Sequence, residues 1–106
     1  MNIWEWSEYV ARWREEKEFY TPSSLANITD RDMMLGKLML VVSEVAEAAE
    51  AVRHNDTPNF YEELADTFIR LFDICGSMGI NMEPYIEEKM EKNKERPVKH
   101  GKFCSL

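Results

Sequence analysis

Apolar residues recur along most of the chain at the three- and four-residue spacing of helices, and short polar breaks divide it into four runs. The first run predicts a helix from about Ile3 to Phe19, ended by YTPSS. A second begins after NITD, where Thr29 or Asp30 offers an N-cap, and continues through Arg53. HNDTP closes it, with Thr57 an N-cap and Pro58 a natural first residue for the third helix, which stops near Gly76 and Gly79. Asn81 can cap a fourth helix that ends before Pro97, and an irregular basic tail follows from about residue 97. No repeat or alternating strand pattern appears, so residues 1–106 predict one all-α domain.

The second helix raises the chemical question. Its sequence SEVAEAAEAVR is rich in Ala and Val, yet Glu44 and Glu47 fall on one stripe with Leu40 and Ala51, away from the polar side of Ser43, Glu50 and Arg53. A carboxylate removed from water either protonates or finds a cation. The third helix carries Glu63, Asp66, Arg70, Asp73 and Ser77 on one stripe, opposite Leu64, Phe68, Leu71 and Cys75. Alone, that stripe reads as the solvent-facing side of an ordinary amphipathic helix. Together, two acid pairs with a three-residue spacing and one loop between them can converge if the helices face each other. Four such acids suit a hard cation, Mg²⁺ or Mn²⁺. Neither His54 nor His100 stands three residues after a glutamate, as a di-iron bundle requires, and a zinc site lacks its ligands.

Charge and composition narrow the partners. The net charge of −7 opposes binding to a nucleic-acid polymer. Six of the thirteen basic residues crowd the last eighteen positions, which suits a small anion instead. No apolar run approaches the ~20 residues that span a bilayer, and the N-terminus lacks the pattern of a secretion signal. Two unrelated cysteines imply reduced thiols and a cytoplasmic protein. The second helix is apolar on most sides and predicts cover from another subunit, as a homodimer or dimer of dimers. Trp6 and Trp13 share a stripe that suits packing or a subunit interface, whereas Trp4 lies off it and is expected to be exposed. Met33, Met34, Met39, Met78 and Met90 read as core fillers, Cys75 as buried, and His54 as a surface partner of Glu50.

The two acid pairs, followed by EELADTFIRLFDICGSMGINMEPYIEEKMEKNKERPVKHGK, resemble the MazG-like family of all-α nucleoside triphosphate pyrophosphohydrolases over about residues 35–103. The family's Glu-x-x-Glu matches Glu44 and Glu47, its Glu-x-x-Asp matches Glu63 and Asp66, and its later basic element matches Lys89, Asn93, Arg96 and Pro97. The resemblance implies a four-helix bundle completed by homo-oligomerisation. It also implies that Glu44, Glu47, Glu63 and Asp66 hold Mg²⁺, with Mn²⁺ a substitute. Water activated by the metal or a glutamate then attacks the α-phosphorus of a (d)NTP, giving monophosphate and pyrophosphate in a house-cleaning role. Lys89, Asn93 and Arg96 share one helix face and become phosphate contacts, although that face also reads as a solvated helix end. N-terminal aromatics, Trp4 among them, and His100 are the further substrate contacts it suggests. A helical module that binds a nucleotide or a protein without turnover is the alternative.

Overall fold

The computed structural model describes residues 1–96 and contains four helices, with no strand among the described residues. The helices are α1 (Ile3–Glu15), α2 (Ile28–Arg53), α3 (Thr57–Met78) and α4 (Glu83–Lys94). Pro97 and His100, both in the tail, lie outside the described residues. No helix among the described residues is long and apolar enough to cross a membrane.

Local chemistry sets the boundaries. Asn2 and Glu5 form a reciprocal capping box at the start of α1. That helix stops at Glu15, short of Phe19, with the amides of Lys17 and Glu18 closing back on the Arg14 carbonyl. The cap of α2 is Asn27, whose side chain accepts from the Asp30 amide at 2.8 Å, and not Thr29 or Asp30. Asp30 instead lies buried and accepts the Tyr20 hydroxyl, which ties the α1–α2 connection to α2. Asp56, one residue before the expected Thr57, caps α3 through the Asn59 amide. Asn81 does accept from the Glu83 amide, although Met82 occupies the formal cap position of α4.

Two helix ends share a device. Asn55 adopts φ 53° just past α2, and the Asp56 amide reaches back to the Ala51 carbonyl at 2.9 Å. Gly79 adopts φ 67° just past α3, and the Ile80 amide reaches the Cys75 carbonyl at 2.9 Å. Both are Schellman closures that require a left-handed residue, which Gly and Asn supply most easily. The Asn55 closure makes the α2–α3 connection short, and the two helices return side by side.

α3 is the centre of the fold, with α1 and α2 both packed against it. α1 crosses very closely at Gly76: a Cβ built there would lie 2.1 Å from the Ser7 carbonyl oxygen and 2.6 Å from the Ala11 Cβ. α4 touches the other helices only slightly, and its Glu83 carboxylate accepts the Ile3 amide at the start of α1.

The orientation of α3 corrects the reading of its polar stripe as a solvent face. Asp73 and Ser77 are buried, whereas Leu64, Phe68 and Leu71 on the opposite side are exposed. The Asp73–Ser77 end of the polar stripe turns inward because a charged network binds the three helices there. Arg14 of α1 donates Nε to Asp73 Oδ1 at 2.7 Å and Nη2 to Ser77 Oγ at 2.7 Å. Lys37 of α2 reaches the other oxygen of Asp73 at 2.7 Å. Asp73 thus has a cation on each oxygen, which offsets the desolvation of all three charges.

The apolar core is correspondingly small, formed by Val10, Ala11, Met34, Ala48 and Ala51. Of the five methionines expected there, only Met34 is buried; Met33, Met39 and Met90 are exposed and Met78 is half-buried. Trp4, expected to be exposed, is half-buried, while Trp6 and Trp13, expected in packing or at a subunit interface, are the more exposed pair in the single chain. Trp6 nonetheless stacks on Phe72, with ring planes 10° apart. Cys75 is half-buried, and that burial pushes its thiol pKa up, away from nucleophile behaviour.

Candidate metal centre

The short turn at Asn55 fixes which residues of α2 and α3 lie level. Lys37 and Asp73 are equally far from Asn55 along the chain, and their ion pair marks the register. In that register Glu44 lies level with Asp66 and Glu47 with Glu63. The intervals between these positions are whole helical turns, so the pairs share one seam.

The side chains follow the backbone. Glu44, Glu63 and Asp66 each offer a carboxylate oxygen, and the three oxygens lie within 4.8 Å of one another. Glu44 is buried, Glu63 half-buried and Asp66 exposed, so the group runs from the helix seam out to water. Glu47 is exposed and stands outside that trio of oxygens. It is close enough to shape the Glu63 carboxyl, whose pKa is pushed up to about 7. The largest cause is a hydrogen bond with Glu47, followed by burial and then by Glu44. Glu50, by contrast, is held below the usual range by Arg53, and pairs with His54 at the surface.

Two oxygens in the cluster are left without partners. Glu44 Oε2 and Glu63 Oε2 are buried from water and receive no hydrogen bond. An orphaned, buried carboxylate oxygen is costly. Arg70 offers only a long contact, Nη2 to Glu44 Oε1 at 3.5 Å, and leaves Oε2 unanswered. An all-oxygen set with two unanswered oxygens fits a hard divalent cation, and no histidine or cysteine takes part in the group.

The acids stand between two openings. A cleft of about 270 Å³ has Glu44, Asp66 and Arg70 on one side and Val10, Trp13 and Arg14 of α1 on the other. A more open depression toward the Asn55 turn is bordered by Glu47, Glu50, Asn59 and Glu63. Trp13, rather than Trp4, is the aromatic beside the acids. Lys89 and Asn93 lie on α4 and Arg96 just past its end, and none of them walls either opening. The structure therefore brings Glu44, Glu63 and Asp66 together with Glu47 beside Glu63, while Lys89, Asn93, Arg96 and Trp4 line neither opening.

The Arg14–Asp73–Lys37 network carries the strongest charge contacts near the acids, Arg70 stands close to Glu44 with only its long contact, and the motifs singled out neither. A usable signal existed: Lys37 and Asp73 are opposite charges placed symmetrically about the same turn that pairs the acids.

The helices that carry this seam fall within a known family domain. The model of the MazG nucleotide pyrophosphohydrolase domain matches residues 35–100, a span that contains α2 from Leu35 onward, all of α3 and α4, and each of the four acids. No curated protein and no solved structure gives a significant match. With more than half of the chain matched, and with the acids on the two helices at its centre, the chain belongs to the MazG nucleotide pyrophosphohydrolase family.

Proposed function

We propose that the chain is a Mg²⁺-dependent nucleotide diphosphohydrolase that cleaves (d)NTPs to (d)NMP and pyrophosphate and so cleans the nucleotide pool. The observation that carries this reading is the pair of buried, partnerless oxygens on Glu44 and Glu63 within the converging acids. Family membership supplies the reaction class. Glu44, Glu63 and Asp66 would hold the metal, with Glu47 completing the set at the exposed rim; Mn²⁺ is an alternative ion. When bound, the cation neutralises charge on the triphosphate and the leaving pyrophosphate and lowers the pKa of water. The carboxylates then keep the attacking water and the metal in one place, close to the cleft where the triphosphate enters. Water adds to the α-phosphorus, the bond to the bridging oxygen breaks, and the water proton passes to a carboxylate.

The reading extends to assembly and setting. The exposed apolar stripes of α2 and α3 support a homodimer or dimer of dimers, and a second copy is the simplest source of further walls for the site. Lys89, Asn93, Arg96 and Trp4 are proposed substrate contacts in that assembled form. The whole chain is proposed to act as one domain in the cytoplasm, on nucleotides and not on nucleic-acid polymers.

The test is product analysis on a panel of NTPs and dNTPs, with Mg²⁺, Mn²⁺ or chelator. Metal-dependent monophosphate and pyrophosphate in equal amounts is the expected result. Release of orthophosphate alone would overturn the site of attack. Metal-dependent nucleotide binding with no product from any substrate would favour a binding module instead.

A further inference from the structure

The cleft beside the acids contains two guanidinium groups, and they are in different states. Arg14 is fully committed: Nε and Nη2 hold Asp73 and Ser77 at 2.7 Å each, and Nη1 reaches Thr21 Oγ1 at 3.0 Å. Arg70 makes one long contact, 3.5 Å from Nη2 to Glu44 Oε1, and its side chain is 42% exposed. Charge-assisted bonds of this type close at about 2.7–2.9 Å when they are strong. Arg70 is therefore near Glu44 without being held by it.

Its position gives that looseness a use. Arg70 stands one turn beyond Asp66 on α3, on the wall of the cleft. A single divalent cation leaves four carboxylates with a net negative charge, and a triphosphate adds more. The basic residues of α4 wall neither opening beside the acids. The local cation with donors to spare is Arg70.

We propose that Arg70 exchanges partners: it yields Glu44 to the metal and turns its planar fork onto phosphate oxygens of the nucleotide in the cleft. The proposal rests on the reading above for its substrate and adds a phosphate-binding residue outside the acidic motifs. Guanidinium geometry matters here, because two parallel N–H donors match two phosphate oxygens and an ammonium does not.

The experiment compares the wild type with Arg70→Gln and Arg70→Lys. Calorimetry is run with Mg²⁺ alone and with inorganic tripolyphosphate in the presence of Mg²⁺, and KM and kcat are measured on the best triphosphate. Arg70→Gln is expected to bind Mg²⁺ alone as well as or better than the wild type, since a competing cation is gone. Its affinity for tripolyphosphate should fall about tenfold or more, with a matching rise in KM and partial recovery in Arg70→Lys. Unchanged polyphosphate affinity and KM in Arg70→Gln, with a wild type that turns over, would overturn the Arg70 assignment alone. Loss of Mg²⁺ affinity in parallel with polyphosphate affinity would also overturn it, because Arg70 would then be only a brace for Glu44. A wild type that binds Mg²⁺-tripolyphosphate through Arg70 but hydrolyses no nucleotide would uphold the assignment and overturn the catalytic reading. A wild type that binds no polyphosphate would overturn both.

Discussion

A carboxyl held near neutral pH by its neighbours ties folding to pH with a definite sign. Glu63 is raised from 4.5 to about 7 by Glu47, burial and Glu44, so between those values the folded chain binds a proton that the unfolded chain has released. Its contribution to stability is complete below about 4.5 and is lost as the pH rises through about 7. Metal-free protein is therefore expected to lose Tm across that interval relative to Glu63→Gln, which keeps a neutral side chain throughout. Parallel Tm curves for the two proteins in chelator would refute the carboxylate repulsion. Mg²⁺ added near pH 8 should restore Tm in the wild type far more than in the variant, because the cation replaces the lost proton. Glu47 and Asp66 give the catalytic counterpart. Both are exposed, so Glu47→Gln and Asp66→Asn should leave the helical spectrum and Tm nearly intact. Turnover is expected to fall by about a hundredfold or more in each, the scale of losing an electrostatic group at the reacting centre. Near-normal kcat/KM in both variants would reject the metal assignment.

At the scale of helices, the closest constraint is the crossing of α1 over Gly76. Alanine normally gains about 1 kcal/mol over glycine inside a helix. At Gly76 the new Cβ would meet the Ser7 backbone oxygen at 2.1 Å, which neither helix can relieve by rotating a side chain. Overpacking of that kind costs about 1–3 kcal/mol and offsets or exceeds the gain, so Gly76→Ala should be destabilising by up to about 2 kcal/mol net of propensity. Gly36 is the control, since a Cβ there meets nothing within 4 Å and alanine should be neutral or stabilising. Chemical denaturation of both variants checks the contrast, and equal stability of the two would contradict the close crossing. The same crossing shows where the sequence was legible. Helix number and the acid register followed from periodicity, because Glu44, Glu47, Glu63 and Asp66 repeat by whole turns on either side of one short loop. The inward turn of the α3 polar stripe did not, because a stripe of Asp73, Ser77 and Arg70 looks solvated until Arg14 and Lys37 arrive from two other helices. Those partners are 59 and 36 residues away from Asp73, a separation that helical periodicity alone does not encode.

At the scale of the molecule, the inward turn of the charged stripe has a consequence for the other side of α3. Leu64, Phe68 and Leu71 recur at helical spacing and are 38%, 57% and 39% exposed. On α2, Leu38, Val42 and Val45 repeat the same spacing and are 43%, 54% and 52% exposed. Isolated exposed apolar residues are ordinary, but two continuous stripes on adjacent helices are the mark of an interface. We propose another copy of the chain, carrying the same two stripes, as the occupant. Sedimentation equilibrium at micromolar concentration should give a mass of two or four chains. Phe68→Glu, placed in the middle of the α3 stripe and away from the acids, should shift that mass toward the monomer and make Tm depend more steeply on protein concentration. A wild type that sediments as a monomer at all concentrations would remove the second copy from the picture. It would also leave the acids, Arg70 and the α1 cleft as the whole of the site, to be judged by turnover in the single chain.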